Sequence, residues 1–321
     1  MKYQKQTTEI LERLNKTILG KEQTIRLLFM SLLSGGHVLL EDVPGTGKTT
    51  LANALSKALD LSFGRIQFTP DTLPSDVTGV SVYHMEKGEF SYRQGPIMNQ
   101  LVLADEINRT SPKTQASLLE AMAEEQVSVD GTIYPLPQPF MVIATQNPID
   151  FLGTYQLPEA QLDRFFMRLS LGYPDMEHEL LMAHNYINNI NQDKMPALAD
   201  ADTLIAMKEE AASVTIHPDI VKYIVSVTEA TRENENLSLG ASPRATLALI
   251  RASQSCAYLY GRSYVIPDDV QEVLYPVLCH RMVVSVEARM KKLGSAAVLR
   301  EILRHIPVPI IRKEALCGNA G

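Results

Sequence analysis

Between His37 and Thr50 the chain reads His-Val-Leu-Leu-Glu-Asp-Val-Pro-Gly-Thr-Gly-Lys-Thr-Thr, an apolar run, a glycine-bearing turn and a helix start in immediate succession. The apolar run predicts a buried strand. Gly45 and Gly47 let the backbone turn with its N–H groups inward, and a helix beginning near Lys48 adds its positive end to the same point. That is the pattern of a phosphate-binding loop, in which Lys48 reaches the β- and γ-phosphates of a nucleotide and the Thr49 hydroxyl ligates Mg²⁺. Pro44, Thr46 and Thr50 complete it. Asp42 stands where the general pattern G-x-x-x-x-G-K-[ST] has its first glycine. Pro-Gly-Thr-Gly alone could be an ordinary turn, but strand, loop and helix follow in the order that phosphate binding requires.

The rest of the chain sets bounds on this reading. With 321 residues, 45% of them hydrophobic, there is material for two domains with sizeable cores. A net charge of −7 gives no overall attraction to nucleic acid or an anionic membrane surface, which makes nucleic acid the weaker partner. Cys256, Cys279 and Cys317 are far apart and lack C-x-x-C spacing, so no disulfide framework or zinc site is suggested, and a cytoplasmic location is expected. The polar start Met1-Lys-Tyr-Gln-Lys-Gln and the lack of long apolar runs suggest neither a signal peptide nor membrane insertion.

Apolar spacing predicts two helices between Thr7 and Ser34, broken at Gly20, and a helix from Lys48 to about Leu59 after the loop. Strands follow at Arg65–Phe68, Leu101–Ala104, Phe140–Ala144 and Met167–Leu171, with a helix from Pro112 to about Glu125. Two hairpins are expected, one turning at Lys87-Gly88 and one at Asp130-Gly131. Strands alternating with helices argue for an α/β parallel-sheet domain over 1–175. From Met176 the pattern is almost entirely helical, near 176–192, 200–212, 217–234, 243–260, 267–281 and 295–305, and 176–321 is expected to form a smaller all-helical lid domain. Only the end, Cys317 to Gly321, reads as unstructured.

Four further features belong with the loop. The strand Leu101-Val-Leu-Ala delivers Asp105 and Glu106 at its C-terminal end, beside the expected phosphates. Asp105 would hold Mg²⁺ through its water shell and Glu106 would polarise the attacking water. Asn147, after Phe140–Ala144, could touch the γ-phosphate or that water, although Gln146-Asn-Pro is also ordinary turn chemistry. Arg164 lies in Leu162-Asp-Arg-Phe165, and Arg244 in the first turn of a helix capped by Ser242 and Pro243. His178 and His184, with Glu177 and Glu179, have the wrong spacing for a helical metal site and read as a solvated face.

In order, Ile18-Leu-Gly20, Gly45-Thr-Gly-Lys-Thr49, Leu103-Ala-Asp-Glu106, Ala144-Thr-Gln-Asn147, Asp163-Arg-Phe165 and Ser242-Pro-Arg244 resemble an AAA+ ATPase of the MoxR family. Leu40-Glu-Asp-Val-Pro-Gly, Asp105-Glu-Ile-Asn-Arg-Thr-Ser-Pro-Lys-Thr-Gln115 and Gln156-Leu-Pro-Glu-Ala-Gln-Leu-Asp-Arg-Phe165 are specific to that family, and Asp42 is expected for it. The resemblance implies ATP and Mg²⁺ as ligands, with Lys48 and Thr49 on phosphate and metal. Asp105 and Glu106 are then the Walker B pair, Asn147 sensor 1, and Arg244 the sensor 2 arginine. Arg164 is implied as an arginine finger reaching a neighbour's ATP, with Arg109 and Arg168 as nearby alternatives. Ile18, Leu19 and Gly20 would line the adenine pocket. Hairpin insertions are implied near 78–93 and 127–136, as is a hexameric ring.

Three functions fit such a chain. A chaperone-like ring would remodel a protein client, which the resemblance implies carries a von Willebrand factor A domain. A nucleic-acid translocase would use the same hairpins on DNA, and a metal-chelatase motor subunit has a similar fold. The hairpin tips read Met85-Glu-Lys-Gly-Glu89 and Ser128-Val-Asp-Gly-Thr132, mixed or acidic, which favours the protein client. No Asn-Lys-x-Asp motif for guanine is present, which favours ATP over GTP.

Overall fold

The computed structural model describes residues 1–86, 88–148, 153–188 and 196–310. Lys87 of the first expected turn, the last residues of the helix expected over 176–192, and the Cys317–Gly321 tail lie outside these.

In chain order, helices α1 (Gln4–Thr17) and α2 (Glu22–Leu33) precede strand β1 (Val38–Glu41), and the glycine loop leads into α3 (Lys48–Ala58). Then come β2 (Phe63–Gln67), α4 (Pro74–Thr78), the hairpin β3 (Gly79–His84) and β4 (Glu89–Gln94), and β5 (Leu101–Asp105). After a 3₁₀ turn at Ile107–Arg109 come α5 (Pro112–Glu124), the hairpin β6 (Gln126–Val129) and β7 (Thr132–Pro135), and β8 (Met141–Gln146). A short α6 (Glu159–Leu162) leads to β9 (Met167–Leu169). Beyond it lie α7 (Met176–Ile187), α8 (Ala201–Ala212), α9 (Pro218–Glu233), β10 (Leu237–Leu239), α10 (Pro243–Leu259) and α11 (Pro267–Leu278). The described chain closes with β11 (Val283–Val284), α12 (Val286–Met290) and α13 (Ser295–His305).

β2, β5, β8, β1 and β9 form one sheet in that order, every neighbouring pair parallel. Helices cover both faces, so the central strands read as continuous apolar runs rather than alternating ones. Val38 and Leu40 point into the core shared with α1, α2 and α3, while Leu39 points into the core under α5 with Val102, Val142 and Ala144. The chain leaves β1 for β2 on one side and leaves β8 for β9 on the other. The crevice between β1 and β8 is therefore where the connections diverge, the usual ligand position in an open parallel sheet.

The capping follows the sequence. Ser111, Asp175, Asp200 and Ser242 each accept a hydrogen bond from the backbone two or three residues into α5, α7, α8 and α10, and Pro112 and Pro243 follow the two serines. The Asp130-Gly131 turn forms as expected, both residues at positive φ between β6 and β7. The stacked rings of Tyr92 and Tyr134, 4.1 Å between centroids, join the two hairpins. The helical half departs from expectation by one small ribbon, β10 paired antiparallel with β11. Runs of three and two residues are too short to show a period of two. α8 and α10 pack on α2, and α10 also reaches α1, so the helical half shares the core on that face of the sheet.

His37, at the entrance to β1, is buried, with Phe140 edge-on at 5.5 Å. Val142 N–H donates to its Nδ1 (3.0 Å), so Nε2 carries the proton and donates to the Met122 carbonyl (3.0 Å). Burial lowers its pKa from 6.5 to about 4. Between those values the unfolded chain binds the extra proton, so stability is full above pH 6.5 and falls as pH drops toward 4. The expected loss from this residue is about 3 kcal/mol. Denaturant unfolding of His37→Gln from pH 7 to pH 4 checks it: the variant, with no titrating ring, should show a shallower slope than the native chain.

Candidate functional site

Because the sheet is parallel, all its C-terminal strand ends lie on one edge. The register sets Glu41 beside Gln146 and Gln67 beside Asp105. At this edge Gly45 and Gly47 adopt φ of +85° and +89°, and a Cβ built on either meets nothing within 4 Å. An open cradle with left-handed turns is what backbone N–H groups need in order to converge on a phosphate, and Gly47 also starts α3. Lys48 Nζ donates to the carbonyls of Asp42 (2.9 Å) and Val43 (3.4 Å), which holds the side chain folded over the loop. Thr46 Oγ1 donates to the Val43 carbonyl (3.3 Å), Thr49 is half-buried, and Pro44, Gly45 and Thr50 are exposed.

Asp42 replaces the first glycine of the general motif for a structural reason. Its buried carboxylate accepts from Ser170 Oγ (2.7 Å), Leu171 N–H (2.6 Å) and Gly172 N–H (2.9 Å). The loop is thus tied to the segment that leaves β9 for the helical half. Lys21 Nζ donates to the Tyr173 carbonyl (2.7 Å) and Thr24 Oγ1 to that of Ser170 (3.0 Å), so the segment is held from the other side as well. The predicted base-pocket residues Ile18, Leu19 and Gly20 lie at the head of this wall. Gly20 has φ of +69°, and an added Cβ would come within 2.8 Å of His178 Nδ1, so glycine is required for the α7 imidazole to lie against it. His178 is itself paired with Asp175 (2.6 Å).

Asp105 ends β5 beside the loop. Thr145 Oγ1 donates to its Oδ1 (2.7 Å) and Arg65 Nη2 to its Oδ2 (2.8 Å). Glu106 has φ of +58°, a left-handed conformation that a glutamate adopts only under constraint. Its N–H donates to Thr145 Oγ1 (2.8 Å), while its carboxylate accepts from Gln67 Nε2 (3.1 Å) and pairs with Arg109 (3.1 Å). Asn147 directly follows β8 and is buried, its carbonyl 3.5 Å from Asn108 Nδ2, beside a cavity of about 230 Å³ that Glu41 and Gln146 also line. Arg65, Gln67 and Thr145 escaped sequence reasoning. Their one legible signal is that Arg65 and Gln67 alternate with buried Ile66 on the strand that the register sets beside Asp105.

The predicted arginines lie elsewhere. Arg164 precedes β9 and Gly36 precedes β1, so both stand at the N-terminal edge of the sheet, the opposite end from the loop. There Arg164 donates to the Leu119 carbonyl (2.6 Å) and lines a cavity of about 470 Å³ together with Arg244, Arg251 and Arg281. Arg244 Nη1 is 3.8 Å from Asp163 Oδ2. Of the two alternatives, Arg109 pairs with Glu106 and Arg168 with Glu41 (3.2 Å).

A parallel sheet with a glycine loop after β1, an acidic pair after β5 and a helical half beyond β9 defines a P-loop ATPase. Residues 37–167 match the ATPase family associated with various cellular activities (AAA), and residues 229–302 match the AAA lid domain. The chain is 48% identical to the YeaC protein of Bacillus subtilis, covering 94% of each. It is 40% identical to the chaperone MoxR1 of Mycobacterium tuberculosis, covering 95% of this chain and 83% of that one. The crystal structure of a Cytophaga hutchinsonii protein classed as an ATPase superimposes with a TM-score of 0.90 at 39% identity, covering 96% of each chain. The chain belongs to the MoxR family of AAA+ ATPases.

Asp42→Gly would restore the general motif and still damage the protein. It removes an acceptor for three hydrogen bonds and leaves the buried Leu171 N–H and the half-buried Gly172 N–H unpaired, which should cost about 3 kcal/mol in denaturant unfolding. Unchanged stability would show that the Asp42 tie carries no weight.

Proposed function

We propose that this ATPase works as a hexameric ring that hydrolyses ATP to remodel or activate a protein client. The observation that carries this reading is the separation of the two halves of the site. Lys48, Asp105, Glu106 and Asn147 stand at one edge of the sheet and Arg164 and Arg244 at the other. Arg164 and Arg244 of a single subunit stand away from its own phosphate loop, whereas a neighbour presenting the 470 Å³ cavity would supply both. A cation delivered in trans is worth on the order of 10³ to 10⁵ in rate.

In this reading residues 1–175 bind nucleotide and 176–321 form the lid. Loop N–H groups and Lys48 hold the β- and γ-phosphates. Glu106, kept in place by its backbone bond to Thr145 and by Gln67, orients and polarises the attacking water, and Asn147 aligns it. The hydroxyl of Thr49 and the carboxylate of Asp105 are hard oxygen donors of the kind Mg²⁺ takes, and the ion would neutralise phosphate charge. Ile18, Leu19 and Gly20 receive the adenine, and a cytoplasmic location is proposed with them.

The client reading draws on the hairpins. Tyr83, Met85, Phe90 and Ile133 are exposed there, beside Glu86 and Glu89. Exposed apolar side chains among acids suit a protein surface better than a phosphate backbone. No helix among the described residues is long and apolar enough to cross a membrane. Membership of the MoxR family suggests a client with a von Willebrand factor A domain, and the mycobacterial relative's name, chaperone, is in keeping with it.

The test is a trap. Glu106→Gln should bind ATP with near-native affinity, hydrolyse it at less than about a tenth of the native rate, and retain a co-encoded von Willebrand factor A protein in pull-down. Retention should weaken on charge reversal at Glu86 and Glu89. Stimulation of the native ATPase by DNA, persisting at raised salt, would instead establish the translocase.

A further inference from the structure

The helical half and the sheet meet at one carboxylate. Asp163 precedes Arg164 in the turn before β9, and its Oδ1 accepts from Arg281 Nε (2.8 Å). Oδ2 accepts from Ser242 Oγ (3.0 Å) and lies 3.8 Å from Arg244 Nη1. Ser242 is the cap of α10 and stands two residues before Arg244. The backbone carrying Arg164 and the helix start carrying Arg244 are thus fastened to the same group.

That group is itself anchored. The Arg281 side chain is 2% exposed, and its guanidinium also donates to the carbonyls of Phe165 (2.7 Å), Phe166 (3.1 Å) and Val277. His280 Nε2 donates to the Phe165 carbonyl as well (3.0 Å). Burial lowers the Arg281 pKa to about 10, and Asp163 opposes the shift. A buried guanidinium of this kind needs its carboxylate, so Asp163 is held at a fixed place against the end of α11. Arg164 and Arg244 are held less firmly: both are exposed, Arg164 donating to the Leu119 carbonyl and Arg244 approaching only Asp163 itself, and each stands on backbone fastened to that carboxylate.

We infer that Asp163 is a positioning residue for catalysis in the neighbouring subunit, its carboxylate fixing the spacing and aim of Arg164 and Arg244. This rests on the ring reading above. A group that only glued lid to core would affect its own subunit's folding. A positioning group instead leaves its own nucleotide loop intact and disables the next one.

Mixed rings separate these cases. Asp163→Asn alone should assemble, keep its KM for ATP within about threefold, and lose kcat on the order of 10²-fold, the cost of a catalytic group displaced by about 1 Å. Mixed with Lys48→Ala subunits, it should recover activity, because an intact Asp163 on one subunit then faces an intact loop on the other. If Asp163→Asn destabilises the chain by stranding Arg281, Asp163→Asn with Arg281→Met removes the unpaired charge and should show the same loss and the same recovery. Native kcat in a folded variant, or no recovery where Arg164→Ala and Lys48→Ala do complement, overturns the assignment. Failure of that control pair as well would sink the trans reading and this inference together.

Discussion

The parallel register of β5, β8 and β1 is the constraint on which the rest depends. It places the glycine loop, Asp105 and Asn147 at one edge, and by the same geometry places the turn before β9 at the other. A side chain at that turn cannot serve the loop of its own subunit. The proposed division of the site between two chains therefore rests on strand direction, before any side chain is considered. The packing of the helical half reinforces it, since α8 and α10 lie on α1 and α2 and α10 carries Arg244 to Asp163.

Coupling between nucleotide and lid has a structural route in two carboxylates. Asp42 ties the phosphate loop to residues 170–172, the start of the path into the helical half. Asp163 ties the other end of β9 to α10 and to the residues after α11. The two ties flank the edge strand β9, so a shift of the loop and a shift of the lid act on opposite ends of one short strand. Asp42 is the residue by which the sequence departs from the general loop motif, and its hydrogen bonds give that departure a physical cause.

Much of this was legible from residues in sequence. Gly45 through Thr49, Asp105, Glu106 and Asn147 could be found because each follows a buried apolar run, and a run fixes where its C-terminal end must fall. Asp130-Gly131 was legible because a two-residue turn demands positive φ. Arg65, Gln67 and Thr145 were not, since their importance comes from which strands are neighbours, and β2 and β5 are separated by a helix and a hairpin. The roles of Asp163 and Arg281 were hidden for the same reason: 118 positions separate them along the chain. Arg244 could be placed on a helix start, but which edge of the sheet that helix meets is set by packing on α2.

The most direct measurement is ATP turnover per subunit as a function of protein concentration, with light scattering on the same samples. The account predicts that specific activity rises with concentration and tracks the population of the assembled species, since no subunit alone can bring Arg164 to its own loop. Constant specific activity down to concentrations at which only single subunits scatter would contradict it.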